Sequence, residues 1–472
     1  MSAAPISISR HPQLFLDDHL LVRTQNIRRR LLQPRKHPAN PVLDGEHPWE
    51  TRMLQYPVVL HEPERNLFCM WYTAFGEGRL MERGAICYAE SKDGLHWQKP
   101  MLDLRAFEGR QTTNILLSEP AESCFMSVIK TPHEPDSLYK GLYWHRVKKS
   151  WEAQYPDLRA NLVTTSTDGI HWQTPEPVIF GKSDNPPSLV WYEPEQKYFA
   201  YLRDQAQHPD LFGHIRVTGI SESADFENWI EKEMMILTDE DEGYPYTQVH
   251  ALTATVYGDL LLGMLSVIKL EEEGNNFLGI MNVQLACSRD GRNWHRIADR
   301  ATFLDIGPES WDRWFVHAGS LLVHNDTIHV YYHGWPVKHG HGRKNKGRTP
   351  NPNASRPKGG GIGLATLPAD RFVALSLESP GTEAIVETKP LYLSGTNLLL
   401  NAEAGQLQIE LLDEKGTPIP GFTAATSRLI PRDRLRHRVL WNDRPLGAAP
   451  ITQPISLRFI LRDADLYAFQ IE

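Results

Sequence analysis

Short apolar runs punctuated by Gly, Pro, Asn and Asp dominate this chain, and helical periodicity is nearly absent. That pattern predicts strands joined by turns. A first strand followed by a second is readable five times: at 56–60 and 68–72, 124–129 and 141–144, 188–191 and 198–202, 250–256 and 260–265, and 316–323 and 328–332. The third strand of four units ends at a recurring box. Its copies run Ser91 to Trp97, Ser166 to Trp172, Ser223 to Trp229 and Ser288 to Trp294, and each carries Asp two residues after Ser. The fifth unit has Gly361 to Thr366 at the third-strand position instead. Asp and Gly suit a tight turn, because Asp bonds nearby backbone and Gly accepts positive φ. The box therefore predicts a structural hairpin with a Trp folded between sheets.

Repetition of a several-strand unit at similar spacing predicts a propeller. The expected fold is all-β: a five-bladed β-propeller over 40–385, then a C-terminal β-sandwich over 386–472. Residues 1–39 contain one strand-like run, Leu14 to Val22, expected to close the ring or bridge the two domains. A propeller concentrates its chemistry at the central channel.

Composition narrows the classes. The 472 residues carry a net charge of −8, which gives no support for nucleic-acid binding. No run is long and apolar enough for a membrane span, and no leader-like segment opens the chain, so a cytoplasmic location is expected unless a leader was trimmed. The four cysteines, Cys69, Cys87, Cys124 and Cys287, lack metal-type spacing and read as buried free thiols. Neither a metal nor another cofactor is expected, and residue spacing lends no support to a channel calcium. Nothing in the sequence specifies an oligomeric state. From Lys338 to Gly361 the chain is Gly-, Pro- and Asn-rich and basic, which reads either as a solvated loop or as a lid bringing cations to an anionic ligand.

The segments LFLDDHLL, QPRKHPANPVL, MWYTAF, CYAESKDGLHW, YFAYLRD and LRFILRDADLYAFQIE resemble a group of bacterial family 32-like glycosidases without an assigned substrate. The strand-and-box layout resembles the wider superfamily of five-bladed propeller glycoside hydrolases, families 32, 43, 68, 117 and 130. The resemblance implies three carboxylates in the channel. The family's first-blade motif is missing; His47-Pro48-Trp49-Glu50 stands there, with Asp17-Asp18 upstream. The resemblance then offers Glu50 or Asp18 as base or nucleophile, with Asp184 as competitor because it precedes an inner strand. Asp204, in Tyr201-Leu202-Arg203-Asp204, is the orienting group, and Glu309 is the acid by position.

Glycoside hydrolysis needs one protonated and one ionised carboxyl across the bond. Other residues would complete a carbohydrate site. Trp49 and Trp311 could stack on sugar rings, and Arg203 could orient Asp204. Tyr246, Gln248 and His250 alternate on one strand, while His317 begins an inner strand and His339 lies in the basic loop. A glycosidase acting on an oligosaccharide or polysaccharide is the leading reading. A family 130-like phosphorylase is the alternative, marked by Arg, Lys and His converging on the channel. A non-catalytic carbohydrate-binding propeller is the third reading, and a uronate lyase using Tyr and His lies further out. A carbohydrate is the expected partner in each; no nucleic acid or membrane is.

Overall fold

The computed structural model describes residues 4–76, 84–117, 123–146, 159–174, 176–180, 185–207, 215–230, 233–235, 237–238, 240–271, 277–341, 359–428, 432–451 and 454–472. The protein is all-β, a five-bladed propeller with a further antiparallel sheet. Blade 1 is built from Met53–Glu62, Leu67–Phe75 and Ala85–Ser91, with Ile115–Leu117 outside. Blade 2 comprises Ser123–Lys130, Tyr139–Arg146, Arg159–Ser166 and Glu176–Phe180, and blade 3 Ser188–Tyr192, Lys197–Ala206, Ile215–Ser223 and Glu233–Met235. Blade 4 holds Thr247–Tyr257, Leu260–Leu270 and Gly279–Ser288. Blade 5 holds Phe315–His324, Thr327–Trp335 and Gly361–Pro368. Its outer strand is Arg35–Lys36, antiparallel to Ala365 and Thr366, so a strand from near the chain's beginning joins the last blade.

Serines stitch neighbouring blades at four seams. The N–H groups of Val59, Leu189 and Ala254 donate to the hydroxyls of Ser320, Ser127 and Ser188 at 2.9, 3.0 and 2.9 Å, and Ala318 donates to Ser266 at 3.1 Å. Inner strands of blades 1, 2, 4 and 5 each carry a register shift. Such bulges re-aim side chains at strand ends.

The boxes act as latches between blades. In each, the Ser hydroxyl accepts the N–H three residues on at 2.9 Å, and the Asp carboxylate accepts two following N–H groups. These bonds hold the Asp168 and Asp290 carboxyls down near 2 against the raising effect of burial. The carbonyls of Gly94, Gly169 and Gly291 then accept from Tyr331, Trp71 and Tyr201 of the preceding blade at 2.7, 2.8 and 2.8 Å. Those glycines have φ of 74, 76 and 75°, and a Cβ there would meet the neighbouring blade's aromatic ring or hydroxyl within 2.8 Å. Glycine is required twice over, by conformation and by space. Blade 3 breaks the rule: Phe226 takes the position at φ 68° and packs on Leu142 and Tyr198.

The C-terminal sheet is dominated by Leu398–Leu412 paired along its length with Ser456–Ile471. Its remaining strands include Gln13–Leu14, Leu21–Gln25 and Ile27–Leu31 from the start of the chain. Leu400, Ile409, Phe422, Trp441, Leu457, Phe459 and Phe469 form its core. It docks on blades 4 and 5 through Leu14, Leu16, Phe372, Val373 and Ala468, and Tyr257 bonds Asp370 at 2.8 Å. Cys69, Cys87 and Cys287 are buried free thiols. Burial pushes Cys69 up to about 11 and Cys287 up to about 12. Among the described residues no helix is long and apolar enough to cross a membrane.

Candidate active site

Polar side chains from all five blades gather at the end of the ring where inner strands begin and second strands finish. Blade 1 supplies Gln55 and Tyr56, blade 2 Asn161, and blade 3 Arg203, Asp204 and Arg216, with Asn185 just ahead of its inner strand. Blade 4 supplies Gln248, His250 and Asn282, and blade 5 His317 and His333. The His250 carbonyl is the hub of blades 3 and 4. It accepts from Asn185 Nδ2 at 2.6 Å and from Arg203 Nη2 at 2.7 Å. Gln248 Oε1 accepts both the backbone N–H and Nη1 of Arg216 at 3.1 Å. Asp204 is half-buried, and its Oδ1 accepts the Gln205 N–H at 2.8 Å.

Four histidines lie in series. His250 is 5.2 Å from His339 and 5.5 Å from His317 between ring centres, and His317 is 5.0 Å from His333. Tyr56 meets the last two edge-on at 4.9 and 4.5 Å. Phe315 stacks on Trp335 at 4.0 Å and leans on the same histidines. Burial lowers His317 to about 3 and drives His250 and His333 well below the usual histidine range. These three rings are neutral at physiological pH, and among the described residues Arg203, Arg216 and Lys338 bring positive charge to this end. Lys338 sits 4.8 Å over Trp314 and pairs with Glu271 at 2.7 Å. Among the described residues, no group of three His, Cys, Asp or Glu is arranged to hold a metal ion.

The structure thus brings together Arg203, Asp204, Gln248, His250, His317 and His339. It does not bring the other candidates to them. Glu50 is buried, but its oxygens are consumed by Tyr72 Oη at 2.5 Å, Lys99 Nζ at 2.8 Å and the N–H groups of Glu46 and His47. Its side-chain partners come from the second strand and the segment after the first box, so it anchors a loop on blade 1. Trp49 is bonded there to Asn114 at 2.7 Å and packs on Phe107. The Asp18 side chain is 81% exposed and pairs with Arg29 at 2.5 Å. It lines a cleft of about 740 Å³ between the N-terminal segment and the fourth box, outside the channel. Glu309 is exposed on the loop leading into blade 5, and Trp311 stacks on Tyr332 at 5.6 Å in the blade's core. Tyr246 packs against the cluster of Ile215 and Val217, and its N–H donates to the Gly243 carbonyl at 2.9 Å in the turn ahead of the inner strand. Asp184 lies outside the described residues, as does most of the basic loop.

Several contributors escaped the sequence reading: Tyr56, Asn161, Asn185, Arg216, Asn282 and Trp335. The signal that would have found them is positional. Each stands at or just ahead of an inner or third strand's start, or at a second strand's finish, and those positions share one end of a propeller.

No family model and no curated protein matches the chain. Similar solved structures include an N-acetylgalactosamine deacetylase from F. plautii, at 13% identity over 74% of this chain and 97% of that one, with a TM-score of 0.48. A β-1,2-mannobiose phosphorylase from Listeria innocua is 12% identical over 72% and 98% of the two chains, with a TM-score of 0.47. A glycosyl hydrolase from Bacteroides ovatus is 15% identical over 77% and 98%, with a TM-score of 0.46.

Proposed function

We propose that this protein is a carbohydrate-active enzyme that cleaves a glycosidic bond at the polar end of its channel, with phosphate as the acceptor. The observation that carries the reading is the convergence of Arg203, Arg216, Asp204 and the histidine series from blades 3, 4 and 5. Hydrolysis needs two carboxyl groups, one to protonate the leaving oxygen and one to activate water or attack directly. Phosphorolysis needs one, because phosphate is already an anionic nucleophile. Asp204 is a half-buried carboxylate at this end that this scheme uses as the acid. In this scheme Arg203 and Arg216 hold phosphate, as guanidinium groups do well. A phosphate oxygen bonds to the anomeric carbon, the glycosidic C–O bond breaks, and the leaving oxygen takes the proton of Asp204. The products are a sugar 1-phosphate and a shortened glycan.

Hydrolysis is the second reading, favoured by one observation. Asn185 donates to the His250 carbonyl at 2.6 Å, and Asp184 is its neighbour in the chain. Asp184 is the second carboxylate that this reading would use with Asp204. The test is a panel of plant, algal and bacterial glycans incubated with and without phosphate, read by phosphorus NMR for sugar phosphate and by reducing ends. Sugar phosphate formation lost in Asp204→Asn supports phosphorolysis. Phosphate-independent release lost in both Asp204→Asn and Asp184→Asn replaces it with hydrolysis. Saccharide binding without turnover would reject both.

A further inference from the structure

We infer that His317 and His333 form a donor–acceptor pair, fixed by the backbone, that receives one hydroxyl group of the bound saccharide. The inference rests on the channel end being the saccharide site. Its origin is in two register shifts on adjacent inner strands. In blade 1 the shift lies between Gln55 and Val58, and Tyr56 inside it has φ 50°, an unfavourable conformation for a bulky residue. In that conformation the Tyr56 N–H donates to His333 Nδ1 at 3.1 Å. A neutral imidazole that accepts at Nδ1 carries its proton on Nε2. His333 therefore offers an N–H.

In blade 5 the shift lies between Ala318 and Ser320, and the Ala318 carbonyl sits 2.7 Å from His317 Nδ1. A carbonyl only accepts, so His317 holds its proton on Nδ1 and its Nε2 offers a lone pair. The two rings lie 5.0 Å apart and 23° from parallel, with opposite polarity at Nε2. Both Nε2 atoms are buried and have no hydrogen-bond partner among the described residues. A buried polar atom left unpaired is costly, and one that a ligand satisfies is selective. A hydroxyl both accepts and donates; a carboxylate only accepts and an ammonium only donates. The pair thus selects an alcohol and is indifferent to pH over the range where both rings stay neutral.

The test uses the full chain with ¹⁵N-labelled histidine, assigned with His317→Gln and His333→Gln. Long-range proton–nitrogen correlation reads each ring's tautomer directly. The expected result is a proton on Nδ1 of His317 and on Nε2 of His333, unchanged between about pH 5 and 8. Methyl glycosides of glucose, galactose and mannose, and any glycan the protein turns over, are then titrated in. A bound saccharide is expected to move both Nε2 resonances together. With a turned-over glycan, His317→Phe and His333→Phe should each raise KM roughly tenfold while kcat stays nearly constant, as for loss of one uniform hydrogen bond. The opposite tautomer in either ring, or a cleaved glycan that leaves both resonances unmoved, overturns the pair and leaves the proposed function standing. If no saccharide binds or is cleaved, the proposed function fails and the pair's ligand fails with it.

Discussion

Replacing Phe226 with glycine is expected to destabilise the protein, and adding Leu142→Tyr is expected to restore much of the loss. At three seams a box glycine at positive φ faces an aromatic side chain from the preceding blade: Gly94 with Tyr331, Gly169 with Trp71, and Gly291 with Tyr201. The register places Leu142 opposite Ser127 as it places Tyr201 opposite Ser188 and Tyr331 opposite Ser320. Leu142 is thus the blade 2 counterpart of those aromatics, and the Phe226 ring fills the space they take elsewhere. Emptying a buried phenylalanine site costs about 3–5 kcal/mol, and relieving a left-handed non-glycine residue returns about 1–2 kcal/mol. The net loss for Phe226→Gly is about 1–4 kcal/mol. Urea unfolding of the parent, both single variants and the double variant closes a double-mutant cycle. A favourable coupling of about 1 kcal/mol or more is expected from residues in contact. A coupling near zero would refute the idea that the seams are interchangeable solutions to one packing problem.

Lys99→Met should cost about 3–5 kcal/mol by leaving the Glu50 carboxylate buried without its cation, and Lys99→Met with Glu50→Gln should recover part of it; thermal unfolding reads both. His317 folds with a pKa of about 3, whereas the unfolded chain takes up that proton below about 6.5. Stability should therefore fall with pH below about 6.5, at about 1.4 kcal/mol per unit from this residue, and the slope should flatten near the folded value. His250 and His333 act in the same direction. Denaturant unfolding across pH should show a shallower slope in His317→Gln, and an unchanged slope would count against neutral burial. Cys69, Cys87 and Cys287, buried with raised pKa, should resist an aromatic disulfide reagent at pH 8 until denaturant is added.

The blades were legible because each strand's pattern is local. Phe68 to Tyr72 and Leu260 to Leu265 read as strands on their own, and the Ser–Asp–Trp boxes mark where third strands end. The site was less legible because its logic crosses blades. Nothing near Glu50 in the sequence announces Tyr72 and Lys99, which turn a plausible nucleophile into a loop anchor. Arg216 looks like one more strand residue until Gln248, on the next blade, meets it. The alternation of Tyr246, Gln248 and His250 predicted one common face, but the strand begins at Thr247 and Tyr246 belongs to the turn ahead of it, its N–H donating to the Gly243 carbonyl. Tyr56 carried only the signal of its place near an inner strand's start; its strained backbone is invisible in a string of letters.

The C-terminal sheet takes in Gln13–Leu14, Leu21–Gln25 and Ile27–Leu31, and these strands pair with partners beyond residue 370. On the ribosome, these strands emerge before the propeller and find their partners only after it. At typical synthesis rates of about 5–20 residues per second, those segments wait tens of seconds while the propeller is made. The arginines at positions 23, 28, 29 and 30 keep that waiting segment charged and discourage strand-to-strand association in the interval.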